Sequence, residues 1–164
     1  MRYIKYSWEE IEKLTEKLAE KIKKSGFRPD YLVGILRGGL VPARLLSDFL
    51  DDTKISFIGV EFYKGIAETK DSPTITQPIP IDVKGKTILL VDEIADTGKS
   101  IMVAINHLKE KGAKEVKIAV IDYRFTSKFK PDFYARKIKT KAWVIYPWMK
   151  KETERLLKKK VEEL

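Results

Sequence analysis

The first 25 residues contain apolar positions with the spacing of a helix. Four such residues alternate with Lys and Glu: Ile11, Leu14, Leu18 and Ile22. Residues spaced this way share one face of a helix. Ser7 and Glu10 have the spacing of a capping box, and Ser25-Gly26 ends the pattern shortly before Pro29. The sequence therefore predicts an amphipathic helix between Ser7 and Ser25.

Short, nearly continuous apolar runs follow, and they alternate with further helical segments. Strands are predicted at 31–36, 54–62, 87–91, 116–121 and 143–146. Helices are predicted at about 41–50, 99–111 and 150–164. Alternation of this kind is typical of an α/β fold, a mostly parallel twisted sheet with helices on both faces. Residues 1–164 are predicted to form a single domain of ordinary size.

The segment 64–86 breaks the alternation, because it holds three prolines, two glycines and many polar residues. A connection of this length is typical of a functional loop or lid, here with room for a small hairpin. Lys64 and Lys70 are its candidates for reaching an active site, and a solvated surface position is the alternative for both.

The chain is basic, because 33 Lys and Arg outnumber 24 Asp and Glu and leave a net charge of +9. This charge bears on which partners the protein binds. Three interpretations are open: a nucleic-acid surface, steering of an anionic substrate, or the Lys- and Glu-rich surface of a heat-adapted protein. The charges are spread along the chain rather than blocked, which favours the heat-adapted surface and then substrate steering.

Residue counts also exclude whole classes of chemistry. The sequence has no cysteine, which excludes disulfides, a thiol nucleophile and Cys-based zinc sites. Its single histidine, His107, excludes sites that need two, and its mid-helix position favours a structural role. The first residues lack the apolar core of a signal peptide, and no apolar run has membrane-spanning length. A cytoplasmic location is the resulting expectation.

The candidate chemistry lies where the run 87–91 ends. Asp92 and Glu93 follow it directly, Asp96 comes three residues later, and Thr97-Gly98-Lys99-Ser100 opens a helix. Backbone N–H groups and the helix dipole favour an anion at such a point. The segment therefore predicts a phosphate cradle beside a carboxylate cluster. The plain alternative is an ordinary turn with Asp96 as the N-cap.

A nucleoside-triphosphate loop also ends in Gly-Lys-Ser, but it needs a glycine five positions before Gly98, where this chain has Glu93. The glycine fingerprint of dinucleotide-binding folds is absent as well. A second candidate ligand-binding turn follows the first buried strand. It consists of Arg37 and the glycine pair Gly38-Gly39. Glycines there allow close backbone approach to a ligand, and the forked Arg37 cation suits phosphate oxygens.

The stretch TILLVDEIADTGKS resembles the phosphoribosyl-pyrophosphate (PRPP) signature of type I phosphoribosyltransferases. The resemblance implies that fold, with a small base-binding hood contributed by about 122–148 and the N-terminus. It implies that Asp92 and Glu93 serve the ribose hydroxyls and Mg²⁺, and that Arg37 with Gly38-Gly39 forms a pyrophosphate loop, often with a non-proline cis peptide. The residues implied to complete the PRPP site are Lys64, Ala95, Asp96, Thr97, Gly98, Lys99 and Ser100.

The segment 131–148 is similar to the 6-oxopurine branch of that family, the xanthine-guanine and hypoxanthine-guanine enzymes of bacteria and archaea. In that branch an aromatic residue, matched by Trp143, stacks on the purine, and the backbone at Val144 reads the base edge. Trp143 as plain core is the alternative, and Trp148 is assigned to packing. Arg124 stands where the branch has a Lys that reads the purine 6-oxygen, and Lys128 is the substitute if the register shifts.

The resemblance implies transfer of phosphoribose from PRPP to hypoxanthine, guanine or xanthine, which gives pyrophosphate and the nucleoside 5′-monophosphate. Asp96 is its implied catalytic residue, because it would accept or share the purine N7 proton. Mg²⁺ is the implied cofactor, and a homodimer or homotetramer the implied assembly. Alternatives are another acceptor base, such as adenine, uracil or orotate, or a PRPP-sensing regulator that binds nucleic acid.

Overall fold

A computed structural model describes residues 2–62 and 72–164 of the chain. The elements in chain order are β1 (Tyr3–Lys5), α1 (Trp8–Lys24), β2 (Tyr31–Leu36), α2 (Leu40–Phe49), β3 (Ile55–Phe62), β4 (Pro73–Gln77), β5 (Thr87–Ala95), α3 (Lys99–Glu110), β6 (Glu115–Arg124), β7 (Phe133–Ile138), β8 (Trp143–Ile145) and α4 (Lys150–Leu157). Short 3₁₀ turns precede and follow α4.

Six strands form the central sheet in the order β4-β3-β2-β5-β6-β7, and all neighbours are parallel except the edge pair β3–β4. This confirms the predicted mostly parallel α/β fold. The order reverses between β2 and β5, since the chain first adds strands on one side of β2 and then on the other. Ligands of such sheets bind at the carboxyl ends of the strands beside this switch point.

Alternate residues of the central strands bury two separate cores. Val33 and Leu90 point to the face covered by α3, and Leu32 and Leu89 point to the face covered by α1 and α2. The period of two along a strand explains this division, because successive side chains leave opposite faces. Helices therefore cover both faces, as the apolar patterning predicts.

Helix α1 has the predicted caps. Ser7 Oγ accepts from the Glu10 backbone N–H at 3.1 Å, and the Glu10 carboxylate accepts from the Ser7 N–H at 2.7 Å. The predicted helix 150–164 is wrong in its second half, because α4 ends at Leu157 and Lys158 has a φ of 53°. Three consecutive lysines begin there, and the chain folds back so that Val161 N–H donates to Glu154.

The apolar pattern did not predict three short strands: β1, β4 and β7. Strand β4 lies within the predicted loop 64–86, but its antiparallel partner is β3, which precedes that segment, rather than a second strand inside it. Strand β1 pairs in parallel with β8 and forms a separate two-stranded sheet, over a third core cluster that includes Tyr6, Val144 and Tyr146. In residues 2–62 and 72–164, no helix is both long and apolar enough to cross a bilayer.

Candidate functional site

The turn after β2 is packed tightly against β5. The Leu36–Arg37 peptide bond is cis, as the family resemblance implies for this loop. A Cβ on Gly39 would lie 2.3 Å from the carbonyl oxygen of Val91, so no other residue fits there without moving backbone. A Cβ on Gly38 would lie 2.7 Å from Cδ of Glu93. The Arg37–Gly39 loop therefore packs directly against Val91 and Glu93 of the following strand.

Asp92 and Glu93 lie inside β5, not after it. The prediction that this strand ends at Val91 is wrong, because β5 continues to Ala95 by pairing Ile94 with Asp122 and Ala95 with Tyr123. This extension carries both acids past the end of the apolar run while keeping them in the sheet. Asp92 Oδ1 accepts the Glu93 backbone N–H at 2.8 Å.

Burial raises the pKa of both acids. The pKa of Asp92 is raised well above its ordinary value by burial and by the neighbouring Glu93 charge. Burial raises the pKa of Glu93 to about 7, against the opposing effect of a hydrogen bond from Trp148. Two carboxylates whose charges are poorly compensated form a favourable environment for a hard cation with oxygen ligands. Among the described residues, no group of three or more His, Asp or Glu side chains could hold a metal ion. A cation at this pair would therefore need further oxygen ligands from a substrate or water.

The loop from Asp96 to Gly98 joins β5 to α3. Gly98 takes the N-cap position of α3 with a φ of 83°, so the alternative in which Asp96 is the N-cap is wrong. A Cβ on Gly98 would also lie 2.5 Å from Cβ of Phe129. Gly98 has no side chain that could cap the helix, and the backbone N–H of Lys99 donates a long hydrogen bond of 3.4 Å to Thr97 Oγ1. Gly98 and Ser100 at this helix start line the adjoining cavity, and the backbone N–H groups of a helix N-terminus are suited to bind an anion.

A first cavity of about 340 Å³ opens between these two loops. Seven of the predicted PRPP residues line it: Gly38, Asp92, Glu93, Asp96, Thr97, Gly98 and Ser100. Gly39 and Ala95 do not line it, and the Ala95 side chain is fully buried. Lys99 lines a separate groove instead. Lys64 and Lys70 lie outside the described residues.

Arg37 is mostly exposed and also lies away from this lining. Its Nη2 atom is 3.0 Å from the Glu152 carboxylate at the start of α4. The guanidinium of Arg37 is thus already engaged by a protein carboxylate. Sequence reasoning missed Glu152, because it lies in the tail that the family signature does not cover.

A second cavity of about 580 Å³ adjoins the first. The three predicted base-binding residues line it: Arg124, Trp143 and Val144. The two cavities share the wall formed by Glu93, Ile94 and Asp96. Trp143 is 40% exposed, which places its ring on the cavity rather than in the core. The remaining lining was not predicted and includes Thr126, Lys141, Tyr146 and Met149.

Arg124 is buried and makes three contacts with defined atoms. Its Nε donates to Asp96 Oδ1 at 2.7 Å, and its Nη1 donates to the carbonyl oxygens of Thr140 and Ala142 at 2.8 and 3.1 Å. A guanidinium has five N–H donors, so these contacts leave the Nη2 pair for a ligand. Lys128, the suggested substitute, lines the groove beside Phe129 and not the second cavity.

Two other residues have structural roles. The indole Nε1 of Trp148 donates to the Glu93 carboxylate at 2.8 Å, and its ring stacks on Tyr146. His107 is half-buried on α3, and its Nε2 accepts the backbone N–H of Ile79 at 3.0 Å. The packing role predicted for Trp148 and the structural role predicted for His107 agree with these contacts.

Comparison with known proteins identifies the family. The family model for the phosphoribosyl transferase domain matches residues 6–152. This chain belongs to the phosphoribosyl transferase family. The purine phosphoribosyltransferase of Pyrococcus horikoshii has a solved structure that is 38% identical to this chain. Its TM-score is 0.79, and the match covers 90% of this chain and 95% of that one.

Two curated members of the phosphoribosyl transferase family are similar over most of their length. The hypoxanthine-guanine phosphoribosyltransferase of Schizosaccharomyces pombe is 28% identical, with 91% of this chain and 90% of that protein covered. The xanthine-guanine phosphoribosyltransferase of Cereibacter sphaeroides is 27% identical, with 87% and 84% covered. The membership predicted from the segment 87–100 is thereby confirmed.

Proposed function

We propose that this chain transfers the phosphoribosyl group of PRPP to a 6-oxopurine: hypoxanthine, guanine or xanthine. The products are the nucleoside 5′-monophosphate and pyrophosphate, as in purine salvage. The observation that carries the proposal is the pair of cavities that share Glu93, Ile94 and Asp96. One cavity has a phosphate cradle and the other an aromatic face, so the donor sugar and the acceptor base would meet at the shared wall.

The first cavity is proposed to bind the donor. Backbone N–H groups at the start of α3 and the hydroxyls of Thr97 and Ser100 would bind the 5′-phosphate, because a helix N-terminus favours an anion. Gly38 and Gly39 would let the backbone approach the pyrophosphate, and Arg37 would add positive charge. Lys64 is proposed to do the same from the segment after β3.

Mg²⁺ is the proposed cofactor, and the half-buried pair Asp92 and Glu93 fits it. A hard divalent cation commonly binds one or two protein carboxylates together with substrate oxygens. It would supply charge neutralisation for the departing pyrophosphate. The raised pKa values of these two acids support the fit, since an added cation would stabilise their charged forms.

The second cavity is proposed to bind the base. The ring of Trp143 would stack on the purine, the backbone at Val144 would read one edge, and Nη2 of Arg124 would donate to the 6-oxygen. A guanidinium only donates hydrogen bonds, so it favours an oxo group over the 6-amino group of adenine. This donor-only character supports a 6-oxopurine as the acceptor.

The reaction breaks the bond from the anomeric carbon to pyrophosphate and forms a bond from that carbon to a purine nitrogen. The base must lose a proton as the bond forms. Asp96 lies on the shared wall, and Arg124 contacts its Oδ1 atom. The other carboxylate oxygen is proposed to accept the N7 proton. A lid over the site would exclude water, which would otherwise hydrolyse the donor. Residues 72–86 of the predicted lid are instead part of the fold, because β4 pairs with β3 and Ile79 and Val83 are buried in the core. The rest of that predicted lid lies outside the described residues.

The test is to incubate the protein with PRPP and Mg²⁺, offer each base in turn, and measure the nucleotide formed. Hypoxanthine, guanine or xanthine is expected to react, and adenine, uracil and orotate are not. Exclusive reaction with one of the latter three would overturn the acceptor assignment. Failure with every base, together with a salt-dependent mobility shift of nucleic acid, would favour the PRPP-sensing regulator.

Three further properties are proposed, the assembly and the hood from the family resemblance and the location from the sequence composition. These are a homodimeric or homotetrameric assembly, a cytoplasmic location, and a base-binding hood formed by about 122–148 with the N-terminus. The parallel pairing of β1 with β8 supports the hood, because it ties the N-terminus to Trp143 and Val144. Light scattering coupled to size-exclusion chromatography would measure the assembly.

A further inference from the structure

Trp148 contacts the shared wall without lining either cavity. Its indole Nε1 lies 2.8 Å from Oε2 of Glu93. The ring stacks on Tyr146 with centroids 5.0 Å apart, and Trp8 is a tilted aromatic neighbour at 5.8 Å. An indole N–H is a donor with a fixed direction, so a clamped ring determines where its acceptor lies.

A buried hydrogen-bond network fixes the hydroxyl of Tyr146. Asp122 is fully buried on β6, and its two carboxylate oxygens accept from the hydroxyls of Tyr6 at 2.9 Å and Tyr146 at 2.7 Å. The same Tyr146 hydroxyl lies 3.1 Å from the backbone carbonyl oxygen of Glu93. Arg136 Nε, 3.6 Å from Asp122, adds a compensating charge. The Glu93 backbone therefore contacts Tyr146, and the Glu93 carboxylate accepts from Trp148, which stacks on the same Tyr146 ring.

This arrangement orients the two oxygens of Glu93 differently. Oε2 accepts from Trp148, whereas Oε1 faces Gly38, where an added Cβ would lie 2.8 Å from it. A buried carboxylate needs hydrogen-bond partners to hold one orientation, and a charge-assisted bond is the stronger kind. Without the indole donor, Glu93 would be free to rotate within the wall that both cavities share.

We propose that Trp148 is a positioning residue, which holds the Glu93 carboxylate toward the loop Arg37–Gly39 and thereby sets the affinity for the donor. The proposal rests on the proposed function, since Glu93 is assigned there to the ribose hydroxyls and Mg²⁺. It extends the site to the segment between β8 and α4, and it gives the cluster of Tyr6, Asp122 and Tyr146 a role in donor binding.

The first experiment is Trp148→Phe, which removes the N–H donor and keeps an aromatic ring against Tyr146. We expect the KM for PRPP to rise about tenfold, as for the loss of a hydrogen bond to a charged group. The KM for the base should stay within about twofold. Trp8→Phe is the matched control, because it changes the same aromatic cluster without touching Glu93, and it should leave both KM values unchanged.

The second experiment is a double-mutant cycle with Glu93→Ala. If Trp148 acts through Glu93, Trp148→Phe has no further effect on donor KM in the Glu93→Ala background. Calorimetry with PRPP, with and without Mg²⁺, gives donor affinity independently of turnover. Thermal unfolding of each variant shows whether it is folded. If Trp148→Phe does not fold, Trp148→Leu tests the same contact, because it also removes the indole N–H and keeps an apolar side chain against Tyr146.

An unchanged donor KM in Trp148→Phe would overturn the proposal, and so would an equal loss in the Glu93→Ala background. A rise in base KM as large as that in donor KM would also overturn it, because it would indicate a general structural effect. Failure of the proposed function is a different result. In that case the wild-type protein would form no nucleotide from any base, although calorimetry could still report the Trp148–Glu93 coupling through PRPP binding.

Discussion

Arg124 donates to Asp96 across 2.7 Å, so the proposed reader of the base and the proposed proton acceptor form one ion pair. Arg124 is almost entirely buried at this contact, whereas the Asp96 side chain is 56% exposed. The pair lies at the wall shared by the two cavities. Recognition of the 6-oxygen and removal of the proton are therefore expected to depend on each other.

Replacement of Arg124 tests the recognition half of this pair. We expect Arg124→Lys to lower kcat/KM for hypoxanthine about 10- to 100-fold, because an ammonium cannot contact Asp96, two backbone carbonyls and a ligand in the same planar geometry. The KM for PRPP should change little. Steady-state kinetics with varied base and varied donor measures both. A variant that keeps wild-type kcat/KM would remove Arg124 from base recognition.

Replacement of Asp96 tests the proton-transfer half. Asp96→Asn retains the shape of the side chain but cannot accept a proton in the same way, so we expect turnover to fall by roughly 10²–10⁴. Donor affinity and the unfolding temperature should stay near those of the wild type, since Asp96 is neither buried nor a helix cap. Near-normal turnover would show that another group manages the proton.

Glu152 is expected to compete with the donor for Arg37. Pyrophosphate must displace the Glu152 carboxylate, which lies 3.0 Å from the guanidinium. Because exposed ion pairs are weak, we expect Glu152→Gln to tighten PRPP binding only about two- to fivefold. Lys151→Gln, one residue away, is the control with an opposite change of charge. Weaker PRPP binding in Glu152→Gln would instead show that the carboxylate orients Arg37 productively.

The stability of the protein should depend on pH through His107. Burial is the main cause that lowers its pKa, and Lys111 adds to the effect. Only the neutral ring can accept the Ile79 N–H. The unfolded chain therefore binds the proton at a higher pH than the folded protein, near the ordinary histidine pKa of about 6.5. Stability from this contact is present above that pH and is lost as pH falls through the window below it.

His107→Gln is the corresponding variant, since a glutamine oxygen can accept the same N–H without titrating. Urea unfolding at pH 5, 6, 7 and 8 would compare the free energies of unfolding. We expect the wild type to lose stability relative to His107→Gln as pH falls below about 6.5. Parallel pH dependences would show that the ring does not need to be neutral in the folded protein.

Local patterns predicted the elements that are stabilised locally. The capping box of α1 and the doubly buried strand β2 were both predicted from a few adjacent residues, and both are present. The turn residues Asp92 to Ser100 were predicted to lie together at a strand end because their order along the chain already places them there. Even so, the extension of β5 to Ala95 needed its partner β6, which no local pattern reveals.

Contacts between distant segments could not be predicted in the same way. The Arg124–Asp96 pair arises because β5 and β6 are neighbours and Ala95 pairs with Tyr123, so both side chains leave the sheet at the same edge. Strand β7 mixes Arg and Lys with apolar residues, as an edge strand can, and its pattern is weak. The fold-back after Leu157 depends on contacts of Glu154 and Glu162, which apolar spacing does not encode.

The pairing of β1 with β8 has a consequence for the order of assembly. All strands of the large sheet lie between residues 31 and 138, whereas the small sheet joins residues 3–5 to residues 143–145. Chains emerge from the ribosome N-terminus first, and contacts between remote segments form last. During translation, β1 therefore has no strand to pair with until β8 has been synthesised, and the phosphate-binding loops are complete before that point. We expect a nascent chain to acquire its pocket for the sugar phosphate before its pocket for the base.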